Sequence, residues 1–149
     1  MNKEFMYEAI RLAKKALESG DVPVGAVVVK GGEIIGRGFN ARELGADPTA
    51  HAEIVSIRQA SEKLGSWHLD GCELYVTLEP CPMCAGAIIN SRISTVIFGA
   101  YDKKAGSASN DSVINLFSLP YNHTPEVYGG ICETDCAELL TGFFKDKRP

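Results

Sequence analysis

Residues 73–84, ELYVTLEPCPMC, carry a strand into a helix with almost no loop between them. Glu73 to Leu78 is apolar and partly β-branched, as strands are. Pro80 to Pro82 breaks that strand. Pro82 then suits the first position of a helix, where its missing N–H is not needed. The Ala-rich stretch from Met83 to Asn90 continues that helix. A strand that passes directly into a helix is the building step of layered α/β structure, which needs further strands and helices to cover both.

The rest of the chain supplies them. Phe5 to Leu17 places Phe5, Met6, Ala9, Ile10, Ala13, Ala16 and Leu17 at helical spacing, with Gly20 as the stop. Val24 to Val29 reads as a buried strand, Gly31-Gly32 as a hairpin turn and Ile34 to Phe39 as the partner strand. Asn40 to Pro48 is a polar loop of the kind that often carries function. Thr49 to Leu64 reads as a helix with Ile54, Ile57 and Leu64 on its apolar side. Thr95 to Phe98 reads as a strand, Asp102 to Asp111 as a loop and Val113 to Phe117 as a short helix. A last strand is expected near Val127, then an amphipathic helix from Glu133 to Phe144. This alternation predicts an α/β domain, and the early hairpin predicts a mixed sheet of about five strands. At 149 residues the chain is expected to form one domain, 1–149, able to bury about 70% of its unfolded surface without disulfide or metal.

Composition narrows the function. No apolar run approaches the roughly 18 residues of a membrane span. Glu4 and Glu8 interrupt the apolar positions of the N-terminus, unlike a secretory leader. A cytoplasmic address is expected. The net charge of −4 argues against loose, charge-driven nucleic-acid binding but leaves room for a local basic patch. The five cysteines are Cys72, Cys81, Cys84, Cys132 and Cys136. An odd count fits a metal site or free thiols better than a disulfide framework.

Two segments hold the candidate chemistry. One is His51-Ala52-Glu53, expected in the first turn of its helix. The other is Cys81-Pro82-Met83-Cys84, at the start of the next helix. A catalytic zinc takes three protein ligands and keeps a fourth position for water, and His51, Cys81 and Cys84 make three. The positive end of a helix stabilises a thiolate at Cys81. Two thiolates offset the charge of the ion, so the bound water gains from a nearby base. Glu53 would be turned about 200° from His51 on a helix. It is thus unsuited to the same ion but able to lean over its open side and move a proton.

H-x-E followed by P-C-x-x-C is the signature of zinc nucleobase deaminases. More widely, the chain resembles the tRNA-specific adenosine deaminase family, within the cytidine deaminase-like fold. The resemblance runs through VPVGAVVV, DPTAHAEI, LGSWHLDGCELYVTLEPCPMCAGAI, SRISTVIFGAYD and Asn122-His123. It implies a three-layer α/β/α domain, one zinc ion per chain, a homodimer and hydrolytic conversion of adenosine to inosine in a tRNA anticodon loop. It implies that His51, Cys81 and Cys84 hold zinc and that Glu53 shuttles protons. It also implies that Asn40 contacts the nucleoside and that Asp102 and His123 lie near the RNA. Two features depart from the family pattern. The run Lys-x-Gly-x-x-Gly-Ser is replaced by the longer Asp102–Ser112 segment, and the long basic tail by Lys145-Asp146-Lys147-Arg148-Pro149.

Those departures and the acidic charge keep a second reading open, a deaminase of a free nucleobase or nucleoside such as guanine or cytosine. A non-catalytic zinc module lacks a fourth ligand in the sequence, and a redox role for Cys81 and Cys84 is a further minor option that zinc near one per chain would count against. Elsewhere Cys132 and Cys136 read as core thiols. Cys72 reads as structural, and His68 beside Trp67 as packed or exposed. Asn40 by itself reads as a turn residue, and Lys103-Lys104 as a solvated pair or a phosphate contact.

Overall fold

A computed structural model describes residues 1–147, so Arg148 and Pro149 of the tail lie outside the described residues. The elements are α1 (Lys3–Ala16), β1 (Gly25–Lys30), β2 (Glu33–Phe39), α2 (Arg42–Gly45), α3 (Ala52–Leu64), β3 (Glu73–Leu78), α4 (Pro82–Ser91), β4 (Thr95–Ala100), β5 (Glu126–Tyr128) and α5 (Glu133–Lys147). Short 3₁₀ turns follow α1 at Leu17–Ser19 and precede β5 at Leu116–Ser118.

The sheet has five strands in the order β2-β1-β3-β4-β5. β1 pairs antiparallel with both β2 and β3, while β3–β4 and β4–β5 are parallel. The expected mixed sheet is therefore present, with β1 as the one reversed strand. Gly31 and Gly32 link β1 to β2 with φ of +58° and +78°. Two consecutive positive φ values match the right-handed twist of the hairpin and favour glycine at both positions.

Alternation along the strands sorts two cores. Ala26, Val28, Leu74, Val76, Val96 and Phe98 pack with Ala52 and Ala60 of α3 and with Ala85 and Ile88 of α4. Val27, Val29, Tyr75 and Ile97 pack with Met6, Ala9 and Leu12 of α1 and with Cys136 of α5. Helices thus cover both faces, giving the three-layer α/β/α arrangement. Cys136 and Cys72 are buried thiols within these layers, and all five cysteines are free. No helix among the described residues is long and apolar enough to cross a membrane.

Three local expectations are corrected. The polar loop after β2 contains the four-residue helix α2. The helix expected over 113–117 is a single 3₁₀ turn at Leu116–Ser118, overlapping only the end of that span. The third helix begins at Ala52 rather than Thr49. Asp47 Oδ1 accepts bonds from the Thr49 N–H at 2.9 Å and hydroxyl at 2.7 Å, holding these residues in a side-chain-closed turn.

Two glycines set the height of α3 on the sheet. A Cβ at Gly36 would lie 2.3 Å from the Ser56 carbonyl oxygen, and one at Gly38 would lie 2.5 Å from that of Ala52. The helix backbone rests directly on β2. Gly38→Ala is expected to destabilise the fold by about 1–3 kcal/mol, as overpacking does. The check is a lower denaturant midpoint at unchanged slope.

Candidate active site

β2, β3 and β4 point the same way, so Asn40, Glu79 and Asp102 follow the carboxyl ends of three strands at one edge of the sheet. Open α/β sheets bind ligands at that edge. Here α3 and α4 also begin there, and each begins on a candidate ligand. His51 is the cap of α3 with extended backbone (φ −73°, ψ 153°), and Cys81 is the cap of α4 (φ −76°, ψ 171°). Neither side chain bonds to its own helix end, so both are free to face the cleft.

This corrects the placement of His51, which precedes the first turn instead of belonging to it. The helical angle between His51 and Glu53 does not apply across an extended cap. Glu53 is the second residue of α3. Side chains on a helix tilt toward its N-terminus, which brings Glu53 back toward the candidate ligands.

His51 Nδ1 lies 3.7 Å from Cys81 Sγ and 3.6 Å from Cys84 Sγ. The three donor atoms lie within 4.8 Å of one another, and they form the one such group among the described residues. Cys132 and Cys136 gather no third donor there. Glu53 is 4% exposed and outside the donor group, but it lines the same cleft.

The site is electrostatically crowded. A hydrogen bond from Cys84 draws the Cys81 thiol down to about 4, against burial and with help from His51. The same bond, then burial, pushes Cys84 far up, so the pair shares one negative charge. Hydrogen bonding to Cys81 raises His51 against the effect of burial. Burial pushes Glu53 up to about 7, and the charge on Cys81 adds to this. Two sulfurs and one carboxylate therefore compete for a single imidazole. A divalent cation relieves that competition, and N plus S donors at this spacing suit zinc.

The cleft measures about 890 Å³. His51, Glu53 and Cys81 line it together with Glu79, with Asn40 and Arg42, with the segment Tyr101–Ala105 and with Leu140 and Phe144 of α5. Asn40 is buried, and its Oδ1 accepts the Ala52 N–H at 2.9 Å, capping α3 from outside that helix. Its acceptor is committed, which leaves its NH₂ for a ligand. Asp102 lines the cleft, but its Oδ1 accepts the N–H groups of Lys104 and Ala105, both at 3.1 Å. His123 is placed differently. It precedes β5, at the opposite edge of the sheet, and its Nε2 lies 2.7 Å from the Ile93 carbonyl. It does not line this cleft.

Sequence reasoning missed two buried carboxylates. Asp21 is 1% exposed and accepts bonds from the Glu43 N–H and the Arg42 guanidinium, both at 3.0 Å in their shortest contacts, pinning α2 at the cleft. Burial pushes its carboxyl up, but these bonds together hold it below the ordinary value. Glu79 is 3% exposed and faces the loop after β4. Neither residue carries a local signal, because the partners that tie Asp21 to α2 and Glu79 to the loop after β4 lie more than twenty positions away.

The α/β/α sandwich thus carries a possible metal-binding group and a buried carboxylate at its strand ends, the setting of a hydrolytic enzyme. The sequence profile of the MafB19-like deaminase family matches residues 1–148. A tRNA-specific adenosine deaminase of Bacillus subtilis (strain 168) is 49% identical over 97% of this chain and 89% of its own length. A solved structure from a study of A-to-I editing by tRNA:A34 deaminases superposes with a TM-score of 0.90 at 46% identity, covering 93% of this chain and all of that one. A guanine deaminase structure from Bacillus subtilis superposes with a TM-score of 0.65 at 47% identity, covering 68% of this chain and 66% of that one. The chain belongs to the tRNA-specific adenosine deaminase family and is a hydrolytic deaminase.

Proposed function

We propose that residues 1–149 act as one deaminase domain that converts adenosine to inosine at the wobble position of a tRNA anticodon. His51, Cys81 and Cys84 would hold one zinc ion per chain. When bound, zinc supplies Lewis acidity that makes a water nucleophilic enough to attack the adenine ring. Glu53 takes a proton from the attacking water and gives it to the departing amino nitrogen, which leaves as ammonia. Its buried carboxyl, lining the same cleft as His51 and Cys81, is placed for both transfers. Asn40 offers its NH₂ to the nucleoside while its carbonyl oxygen holds α3 in place.

The observation that carries the polynucleotide reading is the extent of the cleft. At about 890 Å³ it lies near the top of the range of roughly 300–1,000 Å³ for small-molecule sites and exceeds what one flat base fills. It runs from the ligand group past Lys103 and Lys104, a local pair of cations on an acidic chain. Asp102 orders that loop beside the flanking nucleotides. A homodimer in the cytoplasm completes the reading, as in the resemblance set out above.

The likeness to a guanine deaminase favours free-base deamination as the second reading. One experiment separates them. Zinc-loaded protein is given a tRNA with adenosine first in its anticodon, beside a panel of free adenine, guanine and cytosine. Inosine in the tRNA, with little turnover of the panel, is the expected result. Turnover of a free base with no inosine in the tRNA would replace the first reading by the second.

A further inference from the structure

Glu79 follows β3 directly and stands two residues before Cys81. Its main chain continues the sheet, donating from its N–H to the Ala100 carbonyl at 2.8 Å. Its side chain does something else. Oε1 accepts the Asp102 N–H at 3.0 Å. Oε2 accepts the Ala108 N–H at 2.9 Å and the Ser109 hydroxyl at 3.0 Å. The carboxylate forms no salt bridge among the described residues, so three neutral donors from one loop satisfy it.

The loop is built around that group. Gly106 passes so close that a Cβ there would lie 2.5 Å from Glu79 Cδ. Ser107 donates its N–H and its hydroxyl to the Pro80 carbonyl, both at 2.9 Å. Residues 102–109 are thus fastened to the two residues that separate β3 from Cys81. Within the same loop, Asp102, Lys103, Lys104 and Ala105 form one wall of the cleft. The wall and the ligand-bearing helix share a single anchor.

We propose that Glu79 is a positioning residue that holds the 102–109 loop as a wall of the cleft and so sets how tightly the polynucleotide is bound, without taking part in the chemistry. This rests on the tRNA reading above. The free-base reading needs only the part of the cleft at His51, Glu53 and Cys81 and assigns the wall no such part.

The test is Glu79→Gln. An amide has one acceptor oxygen and one NH₂, so in either orientation a donor meets the N–H of Asp102 or of Ala108. The KM for tRNA is expected to rise about tenfold or more while kcat changes less than about threefold. Zinc should stay near one per chain, and amide exchange at Asp102 and Ala108 should speed up. Ser109→Ala removes one of the three bonds and should raise KM about two- to threefold, with kcat and zinc unchanged. If Glu79→Gln does not fold, this second variant decides.

Unchanged KM and unchanged exchange overturn the proposal. So does a fall in kcat at constant KM, which would put Glu79 in the chemistry, or loss of zinc, which would tie it to the ligands. Wild-type protein that leaves tRNA untouched is the separate failure of the tRNA reading. In that case amide exchange alone judges the clamp.

Discussion

Glu53→Gln should keep zinc near one per chain and lower kcat by about 10²–10⁴-fold, the range that a positioned general acid–base contributes. The amide preserves the volume of the side chain in a site that leaves it 4% exposed, so packing stays intact. What it loses is the ability to take and return a proton. Metal analysis of the variant beside single-turnover deamination measures both halves, and turnover within tenfold of wild type would remove the assigned role.

The same change has a stability signature. Burial raises the Glu53 carboxyl from 4.5 to about 7 in the metal-free protein. A group whose folded affinity for a proton exceeds its unfolded one contributes stability at low pH and loses it as pH rises. Metal-free wild type should therefore lose stability relative to Glu53→Gln between pH 4.5 and 7. The gap should persist above that window. Denaturant midpoints across pH read it directly.

Cys84→Ala should lose zinc almost entirely and drop activity to background, a loss of about 10³-fold or more. Structural zinc sites in small domains hold their ion with about 10–16 kcal/mol of apparent binding energy, and a missing thiolate removes a ligand and a charge at once. The sign of the pH dependence also follows. Cys84, bonded to Cys81 and buried, keeps its proton well above the usual thiol range, and His51 is also raised. A metal must displace those protons. Zinc affinity should rise with pH, and loading should release protons, measurable by titration calorimetry in buffers of different ionisation enthalpy. Equal affinity across pH 6–8 would contradict the arrangement of charges described here.

Much of this is legible in the sequence. β3 was expected over Glu73 to Leu78 and is found there, because a buried strand ended by Pro80 needs no distant partner to declare itself. The start of α4 was expected at Pro82 for an equally local reason. The start of α3 was misjudged by three residues, since the bonds from Asp47 to Thr49 compete with helix there. α2 escaped notice because four residues hold no periodicity and their anchor, Asp21, lies beyond the whole β1–β2 hairpin.

The donor types at His51, Cys81 and Cys84 were a matter of sequence alone, as was the carboxylate at Glu53, because ligand chemistry belongs to the side chain. Their convergence was not. It took the sheet order, Gly36 and Gly38 beneath α3, and two extended caps to bring together a histidine and a cysteine thirty positions apart. Tertiary structure also gave Asn40 a capping bond, moved His123 to the far edge and made Glu79 the anchor of a cleft wall. Those assignments depend on distance between remote segments, which only the packed chain defines.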